Sequence, residues 1–179
     1  MRRSIDDALL ALREQVKAWA NGAPNDIRVF VYPPEWEALM LARLPGWAEA
    51  RAADGDAVDV VDIGQEFRDV VRRRRAETAI AGLERRAPAQ AMDSLRGLAR
   101  EAIVGAITRP LEPPNVARLL VDTGSLATFA SFSAITNDFH GAAARPAAPV
   151  AIAFPGEGDD RTLSLLNLRP DANYRVPRI

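Results

Sequence analysis

The apolar residues of the chain follow two patterns, short largely apolar runs and stripes at helical spacing. The runs are rich in β-branched or aromatic residues and are bounded by turn residues. Runs without strict alternation are typical of strands that are buried on both faces, as in parallel sheets. They predict four strands, at 27–32 (IRVFVY), 57–63 (AVDVVDI), 116–121 (VARLLV) and 150–154 (VAIAF).

Helix-spaced apolar residues fill most of the chain between these runs. The first such segment begins with Ser4 and Asp7, which resemble a capping box. Pro45–Gly46 predicts a break late in the second helix, and Gly82 predicts an interruption of the third. The predicted helical ranges are 4–20, 34–51, 65–86, 88–108 and 125–140.

Strands that alternate with helices predict βαβ units and an α/β fold. We expect three layers, with a largely parallel sheet of about four to six strands flanked by helices. The 179 residues fit a single domain, 1–179. Residues 64–115 exceed what one crossover needs, so they predict a mainly helical insertion between the second and third strands. Two weaker extended segments, 162–168 and 173–176, follow the fourth strand.

Composition excludes several kinds of catalytic site. The absence of cysteine excludes disulfides, thiolate metal sites and a cysteine nucleophile. His140 is the only histidine, which excludes multi-histidine metal sites, and we interpret it as a helix-end residue. No Gly-x-Ser-x-Gly elbow frames Ser125, Ser131 or Ser133. Lys17 is the only lysine and is followed by alanine, so a standard P-loop is excluded. We predict no catalytic residues, no metal site, no cofactor and no enzymatic activity.

Charge and hydropathy also restrict the partners. The net charge of −1 gives no overall basic field for nucleic acid. No apolar run approaches the roughly 18 residues that span a bilayer. The N-terminal sequence reaches acidic residues at once and lacks a small-residue cleavage site, unlike a signal peptide. We therefore expect a cytoplasmic protein without membrane contact.

Two strand ends form a candidate ligand or partner edge, because open α/β sheets bind ligands beyond the carboxyl ends of their strands. A Gly/Ser turn that opens a helix can present backbone N–H groups to an anion, although such turns also serve as plain connections. Asp62 could join Asp122 and Glu157 around a divalent cation, but acidic residues also end strands as helix caps. The candidate edge comprises Asp122, Thr123, Gly124, Ser125, Pro155, Gly156 and Glu157.

A run of four arginines is the most conspicuous charge feature. Four consecutive residues turn through about 400° on a helix, so they cannot form one basic face. We interpret the run as a solvated or partner-facing patch, with DNA contact as the alternative. Aromatic residues typical of a single-strand nucleic-acid surface are missing around it. The possible basic patch comprises Arg72, Arg73, Arg74, Arg75, Arg85 and Arg86.

The C-terminal third carries a family resemblance. The succession RLLVDTGSLATFASFSAITNDFHG, PVAIAFPGE, TLSLLNL and NYRV resembles the BrxB family of BREX phage-defence proteins. The N-terminal order of helix, strand, helix and strand is similar to that family as well. The chain departs from it where LATFASF replaces an aromatic-proline step and where 158–160 (GDD) replaces a Tyr-Asp-Gly type sequence. Residues 64–115 do not match the family.

The resemblance implies a small, cytoplasmic, non-catalytic assembly subunit of a bacterial anti-phage system. It implies other BREX components as partners, above all a PglZ-type phosphatase-like protein. Two alternatives remain open at this point: a degenerate P-loop-like domain that binds a nucleotide or phosphate, and an accessory protein that contacts DNA. The sequence leaves the oligomeric state open.

Overall fold

The structure, a computed structural model, describes residues 4–141, 146–158, 162–164 and 170–172. Seven strands and six α-helices are defined within these residues, and short 3-10 turns precede α2 and α6. The helices are α1 (Ile5–Ala20), α2 (Glu37–Ala53), α3 (Ile63–Arg73), α4 (Glu77–Arg86), α5 (Pro88–Thr108) and α6 (Phe132–Gly141). The strands are β1 (Ile27–Tyr32), β2 (Val58–Asp62), β3 (Ala117–Val121), β4 (Val150–Pro155), β5 (Glu157–Gly158), β6 (Thr162–Ser164) and β7 (Pro170–Ala172).

The first four strands form an all-parallel sheet in the order β1-β4-β3-β2. Its register places Val29, Ile152, Leu120 and Val61 side by side across the four strands, and all four side chains are buried. This arrangement confirms the predicted α/β fold with a parallel sheet between helices. Strands β5, β6 and β7 form a separate antiparallel sheet. Of the two weaker extended segments, 162–168 contributes β6, and 173–176 lies outside the described residues.

The two faces of the parallel sheet carry separate hydrophobic cores. One core joins α1 and α2 to the sheet through side chains such as Leu12, Met40 and Leu119. The other joins α5 and α6 to the sheet through Ile103, Leu120 and other side chains. The chain crosses from β1 to β2 in one direction and returns through β3 to β4 in the other. Right-handed parallel connections that run in opposite directions put their helices on opposite faces, which produces the three layers.

The helical segment between β2 and β3 consists of α3, α4 and α5. Helix α5 serves as the crossover, since Ala99, Ile103 and Ala106 are buried against the sheet. Helix α4 packs mainly against α5. The predicted interruption at Gly82 is wrong, because Gly82 lies inside α4 and the break falls at 74–76 instead.

The break after α3 is a Schellman motif. Ala76 N–H donates to the carbonyl of Val71 (3.1 Å), and Arg75 N–H donates to that of Arg72 (2.9 Å). Arg75 occupies the left-handed position of this motif, with φ 51°. Glycine normally occupies that position, as Gly22 does after α1. Helix α3 therefore ends within the run of four arginines, at a position that no glycine marks in the sequence.

Helix α2 continues through Pro45 to Ala53, so the predicted break at Pro45–Gly46 is also wrong. Leu44 before the proline is buried, and Trp47 after it packs against the same core. Burial on both sides of the proline outweighs the lost backbone hydrogen bond, because tertiary packing overrides local propensity.

A buried arginine links the sheet to the end of α5. The side chain of Arg118 on β3 is 2% exposed and pairs with Asp59 on β2 at 2.8 Å. Its Nη1 donates to the carbonyls of Ala106 (2.5 Å) and Arg109 (2.6 Å), and its Nη2 donates to that of Pro110 (3.3 Å). The guanidinium thus satisfies carbonyls that the end of a helix leaves without intrahelical partners.

Candidate functional site

The carboxyl ends of the four parallel strands lie at one edge of the sheet, where the connecting segments diverge. The segment after β1 leads to α2 on one face, whereas the segment after β3 leads to α6 on the other. Open α/β sheets place ligands in the crevice at such a switch point. We name this region the sheet-edge crevice and define it by Tyr32, Glu37, Asp62, Asp122 and Gly124.

Contacts between two loops bring most of the predicted edge residues together. Thr123 is fully buried, and its Oγ1 donates to the carbonyl of Ala153 at 2.6 Å. A Cβ on Gly124 would lie 3.0 Å from Cγ of Pro155, so the two loops touch there. Gly156 N–H donates to the carbonyl of Tyr32 (2.8 Å). These contacts hold the ends of β1, β3 and β4 in fixed positions.

The last predicted edge residue, Glu157, opens β5, and its side chain lies outside the described part of the structure. His140 lies in α6 and its side chain is likewise outside that part. Neither side chain enters the geometry below.

Asp122 sits in a strained and crowded position. Its backbone is left-handed (φ 56°), which is uncommon outside glycine. A Cβ on Gly64, in the first turn of α3, would lie 2.2 Å from Oδ2 of Asp122 and 2.9 Å from Oγ of Ser125. Only glycine leaves room for the Asp122 carboxylate at this helix end. Ser125 Oγ donates to the carbonyl of Asp122 at 2.7 Å.

Asp62 acts as a helix cap. Its Oδ1 accepts a hydrogen bond from the backbone N–H of Gln65 (2.8 Å), the usual N-cap contact. This is the structural role that acidic residues at strand ends often have. Among the described residues, no three His, Cys, Asp or Glu side chains are placed to hold a metal ion.

Tyr32 and Glu37 belong to the crevice although the sequence did not single them out. The Tyr32 hydroxyl donates a hydrogen bond to Glu37 Oε2. Glu37 Oε1 is buried and has no hydrogen-bond partner among the described residues. It would lie 3.8 Å from a Cβ on Gly124, at van der Waals contact, so the segments after β1 and β3 meet at this atom. The position of Tyr32 in the chain could have indicated this. Tyr32 is the last residue of β1 and Asp122 directly follows β3, and the carboxyl ends of parallel strands lie at the same edge of a sheet.

Burial and mutual repulsion raise the pKa values of these groups. Burial raises the pKa of Glu37, and the charge of Asp122 adds to the effect, while the Tyr32 hydrogen bond opposes it. Burial and the charge of Asp62 raise the pKa of Asp122. Burial, followed by the hydrogen bond and charge of Glu37, raises the pKa of Tyr32. The crevice therefore favours a proton or a cationic group and disfavours the charge of a phosphate.

The arginines of the predicted basic patch make different contacts. Arg72 contacts Asp69 at 3.4 Å within α3, and Arg74 forms an ion pair with Glu101 of α5 at 3.1 Å. Arg75 occupies the helix-ending position described above. Arg73 closes α3, and Arg85 and Arg86 close α4.

An apolar groove lies between α3, α4 and α5. Its floor consists of Phe67 and Val71 of α3, Ile80 and Ala81 of α4, and Leu95 of α5, and its volume is about 380 Å³. We name it the α3–α4 groove. Arg72 borders this groove, and Arg85 and Arg86 border an adjoining depression that shares Glu77 and Ala81 with it. The basic patch predicted from these arginines stays a prediction.

The fold and these surfaces define an α/β domain with an all-parallel central sheet, an acidic sheet-edge crevice and an apolar groove between helices. Within the residues described, no helix has the length and apolarity required to cross a membrane. No protein-family model matches the chain, and comparisons with curated proteins and with solved structures also find no match.

Proposed function

We propose that the protein is a non-catalytic interaction subunit of a BREX-type anti-phage system in the bacterial cytoplasm. It acts by binding another component of the system, with a PglZ-type phosphatase-like protein as the partner. The resemblance of residues 118–176 to the BrxB family supports the system and the partner. The α3–α4 groove is the observation that carries the interaction function.

The groove has the composition of an interface core. Its floor presents aromatic and aliphatic side chains, while charged residues stand at its sides. An apolar centre with a polar rim is typical of protein–protein interfaces. The floor is also anchored, since Phe67 stacks on Phe129 with ring centroids 5.9 Å apart. A fixed apolar surface of this kind loses little conformational entropy when a partner covers it.

Co-expression with a PglZ-type protein tests the proposal. We expect the two proteins to co-elute in size-exclusion chromatography after affinity capture of either one. An Ala81→Arg variant, which places a long cation on the exposed floor of the groove, should weaken the complex. Ala18→Arg is the matched control, because Ala18 is an exposed helical alanine on α1, in the other layer. Absence of any complex with the wild-type chain would overturn the proposed function.

A second candidate function is the binding of a small cationic ligand in the sheet-edge crevice. The buried, unpartnered Oε1 of Glu37 favours it, because a buried acceptor without a donor costs free energy that a ligand donor would recover. A thermal-shift comparison of spermidine with ATP and GTP tests this candidate. Stabilisation by spermidine that Glu37→Gln removes would support it, and a shift with the nucleotides alone would instead favour a phosphate site.

A further inference from the structure

We infer that the α3–α4 groove binds an amphipathic α-helix of a partner protein, with acidic residues along one flank of that helix and basic residues along the other. This inference rests on the proposed interaction function and adds the chemistry of the bound segment. The apolar floor, the length of the two walls and their opposite charges carry it.

The floor has the spacing that suits a helical ligand. Phe67 and Val71 lie one turn apart on α3, and Ile80 and Ala81 face them from α4. Leu95 of α5 closes the bottom. Helices that dock in grooves insert side chains from positions i, i+3 or i+4, and i+7, over about two turns. The walls of this groove have a similar length. The charged residues on the α3 wall lie one turn apart, and those on the α4 wall lie two turns apart.

The two walls carry opposite charges. Arg68 and Arg72 line the α3 wall, and Glu77 and Glu84 line the α4 wall. Residues at i and i+4 or i+7 fall on one side of a helix, about 6 Å and about 10 Å apart along its axis. A docked helix would therefore meet two cations on one flank and two carboxylates on the other.

These charges are available to a partner. Glu77 and Glu84 make no ion pair or side-chain hydrogen bond with any residue that the structure describes. Arg68 donates from Nε to Gln65 (3.1 Å), a neutral acceptor, and its charge also interacts with the Asp122 carboxylate, although the two form no ion pair. Arg72 is 66% exposed and has only a long contact, at 3.4 Å, with Asp69. Because the two walls carry opposite charges, they fix the direction of a docked helix. A helix docked in the reverse direction would place its acidic flank against the glutamates and its basic flank against the arginines.

The same charges weigh against nucleic acid in this groove. Phosphates at the arginine wall would also face Glu77 and Glu84, and affinity for a nucleic-acid backbone depends on an excess of cations. A helix with one acidic and one basic flank satisfies both walls.

Two synthetic helical peptides of about four turns test the inference. Both carry a leucine stripe and a glutamate flank for the α3 wall, and they differ in the other flank, which is lysine in the matched peptide and glutamate in the mismatched one. Fluorescence anisotropy measures their binding to the full chain. We expect the matched peptide to bind about tenfold more tightly at low salt, from two partly exposed ion pairs.

Charge reversal of the α4 wall provides the decisive variant. Glu77 and Glu84 are both exposed, so Glu77→Lys with Glu84→Lys should leave the fold intact. This double variant should prefer the mismatched peptide, and Ala81→Arg should weaken both peptides. Equal binding of the two peptides by wild type, or an unchanged preference in the double variant, would overturn the inference.

The experiment separates this inference from the proposed function. If a PglZ-type protein binds wild type and Ala81→Arg equally, the interaction function stands and the groove is not the docking site. If the wild-type chain forms a dimer that Ala81→Arg dissociates, the occupant is a second copy of the chain, which also overturns the inference. Light scattering at several protein concentrations detects that outcome.

Discussion

Replacing Arg118 with methionine should destabilise the protein more than replacing any surface arginine. Methionine fills a similar elongated volume, so the change removes charge and hydrogen bonds with little cavity formation. Four acceptors lose their donor: the Asp59 carboxylate and the carbonyls of Ala106, Arg109 and Pro110. The Arg118 side chain is 2% exposed, whereas that of Asp59 is 31% exposed.

The expected loss of stability depends on whether water can replace the lost donor at each acceptor. Breaking a buried ion pair by removing one partner costs about 3–5 kcal/mol, because the remaining charge stays uncompensated. Asp59 reaches solvent in part, which favours the lower end of that range. The Ala106 carbonyl is buried, and an unsatisfied buried acceptor adds about 1–3 kcal/mol. We expect a total loss of about 4 kcal/mol from a stability of about 5–15 kcal/mol.

Urea unfolding followed by circular dichroism measures this loss. For a chain of this length the melting temperature should also fall by about 8–16 °C. Arg28→Met is the matched control, since Arg28 pairs with Asp26 at 2.9 Å but its side chain is 30% exposed, and it should cost under about 1 kcal/mol. Equal losses for the two variants, at unchanged denaturant slope, would refute the reasoning about Arg118.

Three further predictions concern backbone strain and protonation. Arg75→Gly should stabilise the fold by about 1 kcal/mol in the same urea assay, because glycine adopts φ 51° without steric cost; a loss of stability would contradict the Schellman assignment. Gly64→Ala should cost about 1–3 kcal/mol from its clash with Asp122, whereas Gly97→Ala, with open space around it, should gain about 0.5–1 kcal/mol; the same sign for both would contradict the packing. Raised pKa values mean that folded Glu37 and Asp122 retain protons above about pH 4, where the unfolded chain has released them. Wild type should therefore lose stability as the pH rises from about 4 towards neutrality, relative to a Glu37→Gln, Asp122→Asn variant, and parallel pH profiles would rule this out.

Much of the fold could be predicted from local pattern. The run 27–32 matches β1 residue for residue, and 88–108 matches α5, because each has strong apolar periodicity and clear turn residues at its ends. The helix boundaries that failed depend on long-range packing. Pro45 stays inside α2 because Leu44 before it is buried and Trp47 after it packs against the same core. Arg75 ends α3 without the glycine that normally marks such an end.

The candidate site was predictable only in its strand ends. Asp122 and Gly124 follow a buried strand, so their place at the sheet edge could be inferred from sequence. Glu37 lies 85 positions before Asp122, and nothing local indicates that the two share a crevice. The α3–α4 groove could not be predicted for a related reason, since its lining comes from three helices that are brought together only because α3 and α4 both pack on α5.

The outer strands of the parallel sheet have a consequence for the behaviour of the protein in concentrated solution. β1 and β2 each have one neighbour in this sheet, so each leaves one backbone edge without a strand partner there. β1 carries Arg28 with its partner Asp26, and β2 carries Asp59, which Arg118 holds in place. A second copy that extended the sheet at either edge would have to remove water from the partly exposed side chains of Arg28, Asp26 or Asp59. The charges thus protect the protein against edge-to-edge aggregation.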